Sequence, residues 1–147
     1  PFDGCITVNS SGDEGDTNPG DGRCLTVNCD CTLRAAIEEA NAWAGYDDIC
    51  FDIPNPDVNY NGTNWTISPQ SAYPNITEGV YIKGLTQTGA SFGTLKIEIN
   101  GAGAGAGVNG FEITTGSNSS IIEGLVVNNF TLKRLDQLLS PSCLAFH

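Results

Sequence analysis

The stretch Cys31-Thr-Leu-Arg-Ala-Ala-Ile-Glu-Glu-Ala-Asn41 carries the clearest local signal in the chain. Thr32 offers a hydroxyl as N-cap, and Leu33, Ala36, Ile37, Ala40 and Ala44 recur at helical spacing along one face. The spacing predicts a helix over 32–44. Glu38 and Glu39 are read as facing water, Arg34 as reaching Glu38 one turn later, and Gly45 as the stop. A packed face is the commoner fate of such a stripe, with a protein-binding helix as the rival reading.

Outward from this helix the signals are those of strands and turns. Cys5-Ile-Thr-Val-Asn9 reads as a short strand, followed by a polar loop over 10–22 rich in Gly, Asp and Asn. Ile49-Cys-Phe-Asp-Ile53 alternates as a strand stopped by Pro54 and Pro56. From residue 64 the pattern is all β: Trp65–Ile67, Val80–Ile82, Leu95–Ile99, Phe111–Ile113, Ile121–Ile122 and Leu125–Val127, each followed by Gly, Asn or Ser. Ile82, Ile99 and Ile122 lie 17 and 23 residues apart, an irregular but solenoid-like spacing. A β-sandwich has similar short strands, so periodicity alone leaves both architectures open. Gly105-Ala-Gly107-Val-Asn-Gly110 formally matches a dinucleotide fingerprint, but Phe111-Glu-Ile113 after it reads as a strand. Without a helix N-terminus to hold a phosphate, the run reads as a turn.

The chain has 147 residues with 17 Asp and Glu against 6 Lys and Arg, a formal net charge of −11. One domain is the simplest reading at this length. The charge argues against nucleic-acid binding, which needs clustered Lys or Arg, and against anionic membrane surfaces. A lone His, at position 147, argues against His-based zinc sites and Ser-His-Asp chemistry. Twelve of the 17 acids fall within residues 1–57, so the front is an acidic region ahead of a nearly neutral one.

Six cysteines (Cys5, Cys24, Cys29, Cys31, Cys50 and Cys143) indicate an oxidising compartment. Zinc is disfavoured because no C-x-x-C pair occurs. Six cysteines allow 15 pairings, and spacing selects none. No run approaches the length a membrane helix requires. The opening Pro-Phe-Asp-Gly shows no signal peptide and reads as a processed or trimmed form. Sequons begin at Asn9, Asn61, Asn64, Asn75, Asn118 and Asn129, which an Asn- and Thr-rich chain produces by chance.

The segment Gly20-Asp-Gly-Arg-Cys24 with Cys31–Asn41 closely resembles the CSLREA-type N-terminal module of bacterial secreted and surface β-helix proteins, akin to polymorphic outer-membrane-protein adhesins. The loop Asp13–Gly22, the piece Gly45–Phe51 and the pieces Ile97–Gly101 and Ile122–Phe130 match further parts of that pattern, over roughly residues 5–130. The resemblance implies a mainly β fold: a short right-handed parallel β-helix, or solenoid, with the amphipathic helix as its N-terminal cap. The cap region is then 1–57 and the rungs 58–130 of one domain over 1–130. It also implies a Cys24–Cys31 disulfide, with Cys29–Cys50 or Cys5–Cys50 as options for the rest. Residues 131–147 depart from the family and read as a tail with a short helix after Thr131. This tail, or the open end of the β-helix, is expected to mediate self-association as a homodimer.

Asp13, Glu14, Asp16 and Asp21 form the densest acid cluster and are the candidate ligands for Ca²⁺, although the spacing is not that of an EF-hand and a solvated loop is the commoner origin. Paired carboxylates serve glycoside hydrolysis, and Glu78, Glu98, Glu112 and Glu123 with Lys83 and Lys96 are the available set. Alternation within strands turns Glu98 and Glu112 toward solvent. Tyr60, Trp65 and Tyr73 are candidates for an aromatic sugar platform, with core packing or surface scatter explaining them as well. The expected function is a non-catalytic extracellular or cell-surface module, structural or adhesive, a fragment of a larger adhesin-like protein. Its expected partners are a glycan or a surface protein, with no nucleic acid and no membrane insertion. The alternatives are a polysaccharide lyase or hydrolase and a Ca²⁺-dependent glycan-binding module.

Overall fold

A computed structural model of the chain describes residues 4–114 and 119–131. Strand β1 (Cys5–Val8) precedes the acidic loop and helix α1 (Leu33–Ala42). Strands β2 (Tyr46–Phe51), β3 (Trp65–Ile67), β4 (Gly79–Lys83), β5 (Ile97–Asn100), β6 (Ile121–Glu123) and β7 (Leu125–Asn128) follow. They form two sheets, ordered β1-β2-β4-β6 and β3-β5-β7, and every pairing is parallel.

This overturns the expected right-handed parallel β-helix with an N-terminal capping α-helix. The fold is a small α/β arrangement of two short parallel sheets and one helix, and no solenoid is present among the described residues. The apolar pieces are not equivalent repeats. Ile82 and Ile122 are register partners in the four-stranded sheet, whereas Ile99 belongs to the other sheet, beside Ile67 and Val127. Phe111–Ile113, read as a strand, contributes one isolated bridge between Ile113 and Ile76. The helix is a layer of the core, since Leu33, Ala36, Ile37 and Ala40 share one apolar cluster with residues of both sheets.

Register explains why these strands pair. Ile6, Ile49, Ile82 and Ile122 align across the four-stranded sheet, and Trp65, Ile97 and Leu125 across the other. Each inward side chain thus meets an apolar neighbour on the next strand, and a one-residue slip would expose the whole row. The chain passes from β6 to β7 through Gly124 alone, at φ +72°. A Cβ at Gly84 would come within 2.3 Å of the Gly124 carbonyl oxygen, so the two backbones meet where only glycine fits.

The N-cap reading holds: the Thr32 hydroxyl accepts from Ala35 N. The helix ends at Ala42, however, so Ala44 lies outside it and is exposed. Strand β2 begins at Tyr46, three residues before the expected strand, because its parallel partner β4 extends the pairing back to Tyr46, with β1 joining from Asp48. Past β2, Ile53 has the Gln87 side chain as backbone partner. Gln87 Oε1 accepts from Ile53 N at 2.8 Å and Nε2 donates to Ile53 O at 2.9 Å, in a fully buried position. Gln87→Ala strands both backbone groups, and a loss of about 2 kcal/mol is expected in denaturant unfolding. A loss below a few tenths would show that the clamp is dispensable.

Residues 132–147, and with them the expected tail helix and Cys143, lie outside the described residues.

Candidate functional site

Carboxylates on the loop and helix α1 give the chain its most concentrated chemistry. Asp13 takes a two-pronged pair from Arg34, with Nη2–Oδ2 at 3.0 Å and Nε–Oδ1 at 3.1 Å, and accepts from Gln70 N at 2.8 Å. Arg34 also donates to the carbonyls of Ala72 and Ser71 and lies 5.2 Å from the Tyr73 ring centroid. One guanidinium therefore ties helix, loop and the 70–73 segment together. The expected Arg34–Glu38 pair gives way to this arrangement, because the returning loop supplies a better-placed carboxylate.

Asp16 accepts from Asn18 N and Leu25 N, and Asp21 from Arg23 N and the Asn18 amide. Glu14 keeps an exposed side chain, while its carbonyl accepts from the Thr32 hydroxyl at 2.5 Å. Of the four candidate Ca²⁺ ligands, Asp16 and Asp21 are bridged by Asn18, and Asp13 is turned to Arg34. No three such groups gather as a metal-holding set among the described residues. Their oxygens order the loop by capping its own N–H groups.

Glu38 and Glu39 also depart from the water-facing expectation. Glu38 Oε2 accepts from Asp16 N at 2.6 Å. Glu39 is fully buried and accepts from Gly20 N at 2.5 Å, Gly22 N at 2.7 Å and Trp43 Nε1 at 3.1 Å. The glycines, at φ +95° and +86°, turn successive N–H groups onto one carboxylate. The helix alone cannot show this. A glycine-paired loop ahead of an acidic helix is the only sequence signal for it.

Covalent ties reinforce the same region. Cys24 is bonded to Cys31, the pair implied by the resemblance, and Cys5 to Cys50, one of the two options left open. Cys29 is an exposed thiol. Two disulfides mark an oxidising, extracellular setting. Among the described residues no helix is long and apolar enough to cross a membrane.

Of the acids considered for glycan chemistry, Glu98 and Glu123 lie on different sheets. Glu98, on the three-stranded sheet, accepts from Thr66 Oγ1 at 3.0 Å and Asn128 Nδ2 at 2.8 Å. Glu123, on the four-stranded sheet, accepts from the Tyr81 hydroxyl at 2.5 Å. That hydrogen bond is the main reason the Tyr81 phenol titrates above its ordinary value. Beside it Lys83 pairs with Asp48 at 2.5 Å and lies 4.7 Å from the Tyr81 ring centroid. Glu112 is an exposed connection residue whose carbonyl accepts from Ile76 N, and the Glu78 carboxylate accepts from Gly45 N at 3.4 Å.

The aromatic candidates also divide. Tyr73 is buried, stacked on Phe111 at 5.5 Å, and its phenol is raised chiefly by burial and then by the charge of Asp13. Tyr60 and Trp65 face each other at 4.4 Å across a tight hairpin. The Asn61 side chain closes that hairpin by accepting from Thr63 N and Asn64 N.

No protein family, curated protein or solved structure matches this chain.

Proposed function

We propose that the chain is an extracellular module without catalytic duty, structural and adhesive in role. The observation that carries this reading is how the carboxylates are used. Asp13, Asp16, Asp21, Glu38 and Glu39 bind the loop to the helix, and Glu98 and Glu123 brace neighbouring strands on different sheets. A glycosidase needs two carboxyl groups about 5–10 Å apart across one sugar. The resemblance of Cys31–Asn41 to the CSLREA-type module and the two disulfides support a surface location.

A second copy is the proposed partner. Among the described residues strands β6 and β7 are the outer strands of their sheets, and Ile121 and Val127 on them are 45% and 43% exposed. Unpaired strand edges carrying apolar side chains favour association.

Incubation with cell-wall polysaccharides, read for new reducing or unsaturated ends, is expected to give no product, and sedimentation at micromolar concentration a dimer mass. Product that disappears in Glu98→Gln or Glu123→Gln would replace this reading with an enzyme. A monomer mass for the unsubstituted chain would remove the second copy, and a dimer mass that Ile121→Lys leaves unchanged would remove these strands as the seam.

A further inference from the structure

A hollow of about 410 Å³ lies beside the Tyr60–Trp65 hairpin, bounded by Asp52, Asn55, Gln87 and Lys96. Sites for small ligands typically span about 300–1,000 Å³. We infer that this cleft binds a neutral oligosaccharide, a reading that rests on the module being extracellular and non-catalytic and adds its ligand class.

The walls are held by hydrogen bonds among the lining residues themselves. Trp65 is buried with its Nε1 donating to Pro54 O at 2.9 Å, and the Gln87 amide is locked on Ile53. Preformed walls limit the ordering cost of binding. Tyr60, half-buried over Trp65, brings an aromatic ring to the opening. Such a ring suits the C–H face of a sugar, as offset aromatic contacts do generally.

Polar groups at the rim are unspent. The Asp52 carboxylate, the Asn55 amide and the Tyr60 hydroxyl make no hydrogen bond to the described residues. Lys96 Nζ donates to Thr63 O at 3.0 Å and meets no carboxylate among the described residues, leaving two N–H donors. Acceptors and donors side by side match vicinal hydroxyls, which both donate and accept. A second hollow, of about 470 Å³ near Ser11 and Asp13, differs in this respect. There Ser11 donates to Asp57, Asn59 donates to Ser11, and Asp13 is taken by Arg34 and Gln70.

Charge selects a neutral sugar. Asp52 and Lys96 balance locally, while the chain as a whole carries −11 and repels polyanions.

The test is titration of the oxidised protein with cellohexaose, mannohexaose and xylohexaose, with hexagalacturonate as the anionic arm, followed by calorimetry and amide shifts. At least one neutral hexasaccharide is expected to bind with a Kd of roughly 1 mM or tighter. Tyr60→Ala should weaken it about tenfold, the equivalent of one stacked ring. Asp52→Asn, which keeps shape and removes charge, should weaken it roughly threefold or more. Gln70→Ala, in the other hollow, should leave it unchanged. No neutral binding at several-fold higher concentration, preferred binding of hexagalacturonate, or wild-type affinity in both Tyr60→Ala and Asp52→Asn would each overturn the inference. Product release in the same samples would instead sink the non-catalytic reading, so the two failures are distinguishable.

Discussion

Replacing Cys5 and Cys50 together with alanine is expected to lower the unfolding free energy by about 4 kcal/mol, the largest effect of any change considered. The bond spans a sequence separation of 45, enclosing the acidic loop, helix α1 and most of β2. Restricting so long a segment in the unfolded chain gives about 4 kcal/mol in the loop-entropy account. The Cys24–Cys31 bond spans a separation of 7 and is worth about 2 kcal/mol by the same account. The longer ring also fixes an edge strand, since among the described residues β1 pairs only with β2. Denaturant titration of the two double variants under non-reducing conditions measures both. A larger loss from Cys24→Ala/Cys31→Ala than from Cys5→Ala/Cys50→Ala would contradict the ordering.

Glu39→Ala is expected to cost about 3 kcal/mol. Three donors converge on this carboxylate, and it is fully buried. Hydrogen bonds to a charged acceptor contribute about 1.5–3 kcal/mol each, but donors sharing one carboxylate are not additive. Removal also leaves Gly20 N and Gly22 N without an acceptor inside the fold. Glu38→Ala, which loses one N–H contact at a half-buried position, should cost about 1 kcal/mol. Glu39→Gln keeps an acceptor oxygen and should fall between them. Equal losses from Glu38→Ala and Glu39→Ala would show that burial of the carboxylate contributes nothing.

Legibility of the sequence followed the range of each interaction. The helix around Leu33–Ala42 was readable because its apolar spacing and the Thr32 cap lie within a few residues of one another. The Cys24–Cys31 bond came with the resemblance rather than from spacing. Strand pieces were found, but not their partners: Ile82 and Ile99 look alike in sequence and sit in different sheets. The roles of the acids are hidden in the sequence for the same reason. Glu39 and Asp13 sit in ordinary solvent-facing patterns, and only the returning loop decides whether water or protein meets them.

Composition and local order therefore determined an acidic, cysteine-rich chain with one amphipathic helix, short strands and many turns. Such features depend on charge sums and on neighbours a few bonds apart. Tertiary structure alone decided that the strands form two parallel sheets, that Glu39 and Gln87 act as buried partners for backbone groups, and that the side chains of Asp52, Asn55 and Tyr60 make no hydrogen bond to the described residues. Those outcomes depend on which segments, tens of residues apart, arrive at the same place. Parallel pairing requires long crossovers, and hydrogen-bond satisfaction is settled only when each buried group meets its partner.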